Sequence, residues 1–340
     1  MMKKLLSIII CISPWTSLIS DNHPKKRLFD REEIAAKILG REDRKYGDHS
    51  GNRVLCRFYN QGSIGDQSSS FSGVYPLGSG HSYIWEFSPV IAASVLDTSG
   101  NRKRIVSDGL RGLVDSSPEG TPWSFEPLAG YANPNQENLA MSDNSSTWPS
   151  TWPNKDEDWD GEWNGQYGKY VRADQESYFV MDDYYNSEYE FWPDQNDVPE
   201  SSTESPDDHR RGLGINLEVR GYQWNHPAAE DIIIVTYWIT NIGSSTLDSV
   251  VFGMYGDADV GGPSSFSDDD AWFDTENDMV YQWDHDNWST SYGGFRPAYF
   301  GWSFLESPGN PHDGIDNDGD GMIDESQFDG IDNDGDWDPE

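Results

Sequence analysis

The residues with the clearest chemistry lie near the C-terminus. Asp313-Gly-Ile-Asp-Asn-Asp-Gly-Asp-Gly-Met-Ile-Asp-Glu325 is followed by Asp329-Gly-Ile-Asp-Asn-Asp-Gly-Asp-Trp-Asp338, so DGIDNDG recurs at an offset of 16 residues. Calcium takes six to eight oxygen ligands, which requires several carboxylates and carbonyls within a short stretch. Asp316, Asp318 and Asp320 alternate along the chain and can turn toward one centre, while Gly319 and Gly321 permit a tight backbone path. Asp313, Asp324 and Glu325 complete this first group, and Asp329, Asp332, Asp334, Asp336 and Asp338 form the second. Without a cation these carboxylates repel one another, so binding is expected to be coupled to ordering. Zinc fits poorly, because only His312 lies close and no cysteine does. Magnesium prefers to keep its waters. The alternative is an acidic flexible spacer; a repeat at fixed spacing favours calcium.

An EF-hand loop is the obvious comparison. Asp316, Asp318, Asp320, Gly321 and Ile323 occupy its positions, but Gln327 stands where a glutamate is required. The flanking stretches 307–311 and 326–329 are not helical sequences. The segment instead resembles thrombospondin type 3 repeats and the Asp-Gly-x-Asp-Asn-Asp-x-Asp-Gly motif of secreted bacterial surface proteins. That resemblance covers residues 313–338 and implies aspartates wrapping calcium with little regular secondary structure. The second copy departs from it at Trp337, which replaces the glycine found at Gly321. The chain stops inside this second copy, at Asp338-Pro-Glu340, as a fragment of a longer protein would. As a whole, the chain resembles the large surface proteins of gliding marine bacteria that leave the cell by type IX secretion.

The charge agrees with a cation-binding role. Of 340 residues, 60 are acidic and 23 basic, for a net charge of -37. Residues 174–340 hold 39 of the acidic groups and only 4 of the basic ones, so the field originates in that half. Such a field repels the phosphate backbone of nucleic acids and anionic membrane surfaces, and it favours cations. Leu, Ile, Val and Phe make up only about a fifth of the chain, a level that reads as disordered at this charge. The 15 Trp and 17 Tyr change that reading, since large rings can build a core in place of aliphatic side chains.

Residues 1–20 have the build of an export signal: Lys3 and Lys4, the apolar run Leu5 to Ile12, and Ser20 before a cleavage point. The run is too short to span a bilayer, and no other stretch is long and apolar enough. Ile10 stands where lipidation of Cys11 would need a small residue. Removal of the signal leaves Cys56 as the single thiol, expected to be buried and inert. The chain is therefore expected to be secreted or displayed at the cell surface.

The remaining chain must position these groups. Residues 21–50 form a charged leader with a short helix expected from Asp30 to Gly40. Residues 51–210 form a β-rich region with long Trp/Pro-rich loops; strands are expected at 54–59, 82–87, 90–96, 104–107 and 176–183. Residues 211–305 add strands at 215–224, 231–241, 247–255, 279–283 and 298–304, joined by short turns. The strand at 231–241 is apolar on both faces and is expected to be central and covered on two sides. Residues 306–340 carry the aspartate repeats. The fold class is mainly β: an antiparallel β-sandwich, immunoglobulin-like or jelly-roll-like, with irregular loops and an irregular calcium-binding end. The strand–TNIGSSTLDSV–strand segment resembles the hairpins of bacterial immunoglobulin-like surface modules over about 25 residues.

Three weaker constellations remain. Asp257, Asp259, Asp268, Asp269, Asp270, Asp274, Asp278, Asp284 and Asp286 crowd the loops, as a second calcium site or a solvated acidic rim. Asp182 and Asp183 can join them or simply end a strand. Trp148, Trp152, Trp159 and Trp163 suit either sugar stacking or an aromatic core, and scarce aliphatics favour the core. No HExxH, GxSxG, P-loop or GxGxxG pattern is present. The expected function is non-enzymatic: a structural or adhesive protein that binds calcium and meets extracellular glycans or cell-surface proteins. A carbohydrate-binding module is the second reading, and a secreted hydrolase with structural calcium the third.

Overall fold

The computed structural model describes residues 40–66, 71–97, 99–110, 116–118, 120, 122–194, 198–199, 209–275, 277 and 279–305, and the backbone of 5–12. The strands in chain order are β1 (Leu5–Ile12), β2 (Tyr46–His49), β3 (Cys56–Tyr59), β4 (Ile84–Leu96), β5 (Arg102–Asp108), β6 (Glu126–Pro127), β7 (Ala140–Met141), β8 (Gln175–Asp182), β9 (Ile215–Gln223), β10 (Ile232–Asn241), β11 (Asp248–Ala258), β12 (Asp269–Asp274), β13 (Met279–Asp284) and β14 (Tyr299–Phe304). The protein is mainly β, and no α-helix occurs among the described residues. No helix there is long and apolar enough to cross a membrane. The helix expected over 30–40 and the whole repeat segment fall outside the described residues, apart from Gly40 itself.

One long sheet runs β12-β13-β14-β1-β10-β9-β8-β6, with β7 also on β8. A second sheet is β11-β4-β5, and β2 pairs with β3. All pairings are antiparallel except those of β1, which lies parallel to both β10 and β14. The run with the build of an export signal is thus a strand at the middle of the long sheet. The sheet also draws on both halves of the chain, since β8 pairs with β9 from Gln175–Gln223 to Asp182–Asn216.

Three expectations need correction. The strands expected at 82–87 and 90–96 are one strand, β4, which runs through Pro89. The Pro89 carbonyl accepts the Gly109 N–H at 3.0 Å, just beyond the last β4–β5 pair, Val90–Asp108. The missing proline donor faces that same side, where the ladder has ended. Second, TNIGSSTLDSV is not a hairpin turn. β10 pairs with β9 and β1, whereas β11 crosses to the other sheet and pairs with β4. The resemblance to immunoglobulin-like hairpins therefore fails at its topology. Third, β10 is central but buries one face only: Ile233, Val235 and Tyr237 are inside, while Trp238 is exposed.

The main core is lined from both sheets. Phe87, Ile91, Val95 and Ile105 meet Phe179, Met181, Leu217, Val219, Val235, Tyr237 and Phe300. A second core lies on the other face of β8, where Tyr178 and Val180 pack with Trp152, Trp163, Tyr131 and Leu128. Burial of every β8 residue follows from this double covering. Trp152 and Trp163 are each 2% exposed, and Trp148 and Trp159 pack against the cluster. The tryptophans weighed as sugar platforms are thus the core of the loop layer. Cys56 is buried, and burial pushes its thiol up to about 12, so it is an inert core thiol.

Candidate cation site

The eleven aspartate and glutamate ligands expected between Asp313 and Asp338 lie outside the described residues. The loop carboxylates are described, and they divide into separate environments. A single turn of 3-10 helix, Phe266–Asp268, leads directly into β12, and β12 pairs with β13 so that Asp269 sits opposite Asp284. Asp284 ends β13, and Asp286 follows in the turn. One carboxylate oxygen from each of Asp268, Asp284 and Asp286 lies within 4.8 Å of the others.

The group is held by its own backbone. Asp284 accepts the Ser265 hydroxyl at 3.0 Å and the Trp288 N–H at 2.7 Å. Asp286 shares that Trp288 N–H at 2.8 Å. Asp269 accepts the Val260 N–H at 2.8 Å. The intervening loop turns through Gly261 and Gly262, both at φ +88, and a Cβ on Gly262 would strike the Tyr292 ring.

Burial raises the Asp284 carboxyl, and Asp268 and Asp286 raise it further. Burial also pushes Asp269 up to about 7, with help from Asp284, Asp259 and Asp268, and it pushes Asp259 up to about 6 beside Asp257. Desolvated carboxylates facing one another prefer a proton or a cation between them. The Asp268–Asp284–Asp286 donors are all oxygens, and His285 points instead to Asp270 at 2.7 Å. That donor set suits a hard cation, whose remaining positions carbonyls or waters would fill.

No family model, curated protein or solved structure matches this chain. The assignment of chemistry therefore rests on the residues alone.

The remaining loop carboxylates stand apart. Asp274 accepts from the Asn277 amide at 2.9 Å at the far end of the β12–β13 hairpin, and Asp278 lies outside the described residues. Asp182 and Asp183 do not join the cluster. Both are fully buried, where Arg210 donates to Asp182 at 2.6 Å. Asp183 accepts the Ser107 hydroxyl at 2.7 Å and the N–H groups of Leu213 and Ile215 at 2.6 and 2.9 Å. This network ties β5, the end of β8 and the start of β9 together. Sequence reasoning saw the paired aspartates and missed Arg210, because no local spacing links residues 182 and 210.

Proposed function

We propose that this is an exported or cell-surface protein, not an enzyme, with a two-layer β-sandwich body and a C-terminal calcium-binding segment of the thrombospondin type 3 kind. The observation that carries the reading is the recurrence of DGIDNDG, which sets Asp316, Asp318 and Asp320 and their second-copy counterparts at alternate positions between glycines. A further calcium ion would sit at Asp268, Asp284 and Asp286, where it would relieve the one carboxylate, Asp284, that burial disfavours, with the exposed Asp268 and Asp286 beside it. Calcium orders the repeat and neutralises part of the acidic half, so the segment serves as a stiffened stalk for adhesion or display.

Calorimetric titration of the full chain with calcium tests this directly. Saturable binding that falls when Asp316, Asp318 and Asp320 are changed together to Asn is the expected result. A remaining weaker component should disappear on Asp284→Asn. Binding untouched by the triple change removes the repeat from the reading, and no heat at millimolar calcium leaves an acidic spacer.

A further inference from the structure

Among the described strands, β1 alone joins β10 to β14. It runs parallel to both, paired from Ser7–Ile232 to Ile12–Tyr237 on one side and from Leu5–Tyr299 to Ile10–Phe304 on the other. Neighbouring strands lie about 4.8 Å apart, so β10 and β14 stand about 9.6 Å apart, beyond direct hydrogen bonding. On the export reading proposed above, on which this inference rests, residues 1–20 are removed and β1 goes with them. Each flanking strand is then left with a row of unpaired N–H and C=O groups.

The two sides of that gap are fastened elsewhere. β14 pairs with β13 from Met279–Ser303 to Gln282–Phe300. Its Phe300 and Trp302 rings meet Phe87 of β4 at 5.2 and 4.8 Å, and the Ala298 N–H just before it donates to the Tyr83 hydroxyl at 3.0 Å. β10 pairs with β9 from Ile234–Tyr222 to Asn241–Ile215, and its Tyr237 ring lies 5.2 Å from Phe252 of β11. β4 and β11 are themselves paired, with Phe252 opposite Ile91 and Gly256 opposite Phe87. The second sheet therefore holds β10 and β14 one strand's width apart through contacts that do not include β1.

The gap also has a face pattern. Ile233, Val235 and Tyr237 on β10, and Phe300 and Trp302 on β14, border it on the side of the main core. By register these are the levels of positions 6, 8, 10 and 12 of β1, while positions 7, 9 and 11 fall on the opposite face. We propose that in the exported chain this gap receives an extended strand from another polypeptide, parallel to β10 and β14 and apolar at alternate positions. Main-chain hydrogen bonds to both edges provide the binding, and the core-side positions select the sequence. The net charge of -37 favours a donor whose flanks are basic.

The probe is a labelled peptide of residues 3–12 with Cys11→Ser, followed by fluorescence anisotropy on a chain beginning at Asp21. Saturable binding is expected below about 100 µM. Ile8→Asp with Ile10→Asp in the peptide should weaken it more than about tenfold, and Ile9→Lys should leave it nearly unchanged. Bound peptide should slow amide exchange in 232–237 and 299–304 and nowhere in β4 or β5. A second preparation guards against misfolding of the shorter chain: the full chain, with a specific protease site after Ser20, is cut once folded, and the labelled peptide should then displace residues 1–20. No binding or displacement in either preparation, or equal binding by the Ile8/Ile10 and Ile9 variants, overturns the inference. So does binding seen only with a chain that begins at Arg41, since residues 21–40 would then fill the gap themselves. The mass of the exported protein tests the export reading separately: a chain that keeps residues 1–20 defeats that reading, whereas a cleaved chain that refuses the peptide defeats only the donated strand.

Discussion

His49 and Asp183 are both fully buried, and they titrate in opposite senses. Burial lowers His49 from 6.5 to about 3, while its Nε2 meets the Ser177 hydroxyl at 2.8 Å. Below pH 6.5 the unfolded chain takes up a proton that the folded chain refuses. Stability therefore falls as pH drops from 6.5 toward 3, by up to about 1.4 kcal/mol per unit. His49→Gln, which keeps a polar group and cannot be protonated, should flatten this slope in urea unfolding measured at successive pH values. Asp183 behaves in reverse. Burial and then the neighbouring Asp182 raise it above its usual 3.8. Its folded form holds its proton longer than the unfolded form, so this contribution is greatest below 3.8 and is lost as pH rises through the raised folded value. Asp183→Asn should remove that dependence and cost about 1–3 kcal/mol, because one amide oxygen cannot serve the three donors from Ser107, Leu213 and Ile215. An unchanged pH profile in either variant would show that another group sets it.

At the scale of elements, β1 fills the place between β10 and β14 in the long sheet of the full chain, with the same residues that removal of an export signal would take away. Its pairs run from Ser7–Ile232 to Ile12–Tyr237 on one side and from Leu5–Tyr299 to Ile10–Phe304 on the other. A chain beginning at Asp21 lacks this strand and presents two unpaired backbone edges. Amide exchange should then quicken in 232–237 and 299–304 relative to the full chain, while β8 and β9, paired with each other, keep their protection. Equal exchange in both chains would mean that β1 contributes nothing to those edges. Much of the sheet was legible beforehand because β9, β10, β13 and β14 are short runs of β-branched and aromatic residues bounded by turn residues. Their partners were not legible. The turn chemistry after Asn241 suits a hairpin equally well whether the next strand folds back or crosses over, and only the fit of Val251 to Tyr255 against Ala92 to Ser88 decides it. β12 was hidden because its sequence, Asp-Asp-Ala-Trp-Phe-Asp, carries more charge than a strand usually does, and it lies at the sheet's edge, where charge is tolerated. The three-carboxylate cluster was legible only as a crowd of aspartates, since its membership follows from the Asp269–Asp284 register.

For the molecule as a whole, a net charge of -37 opposes compactness. Raising sodium chloride from about 0.01 M to about 0.15 M shortens the screening length from about 30 Å to about 8 Å and should raise the melting temperature. Calcium at matched ionic strength should raise it further; equal effects of the two salts would reduce the cation response to screening. The division of the interior into two cores on either side of β8 has an optical consequence. The two fully buried tryptophans among the described residues, Trp152 and Trp163, both belong to the loop-side core, whereas the core shared by the two sheets holds no fully buried tryptophan and only the half-buried Trp302 packed against Phe87 and Phe300. The bluest part of the emission spectrum thus comes chiefly from one side of the long sheet, and with Trp302→Phe in place its loss on warming marks the moment when the loop layer lifts away, whether or not the strands beneath still hold.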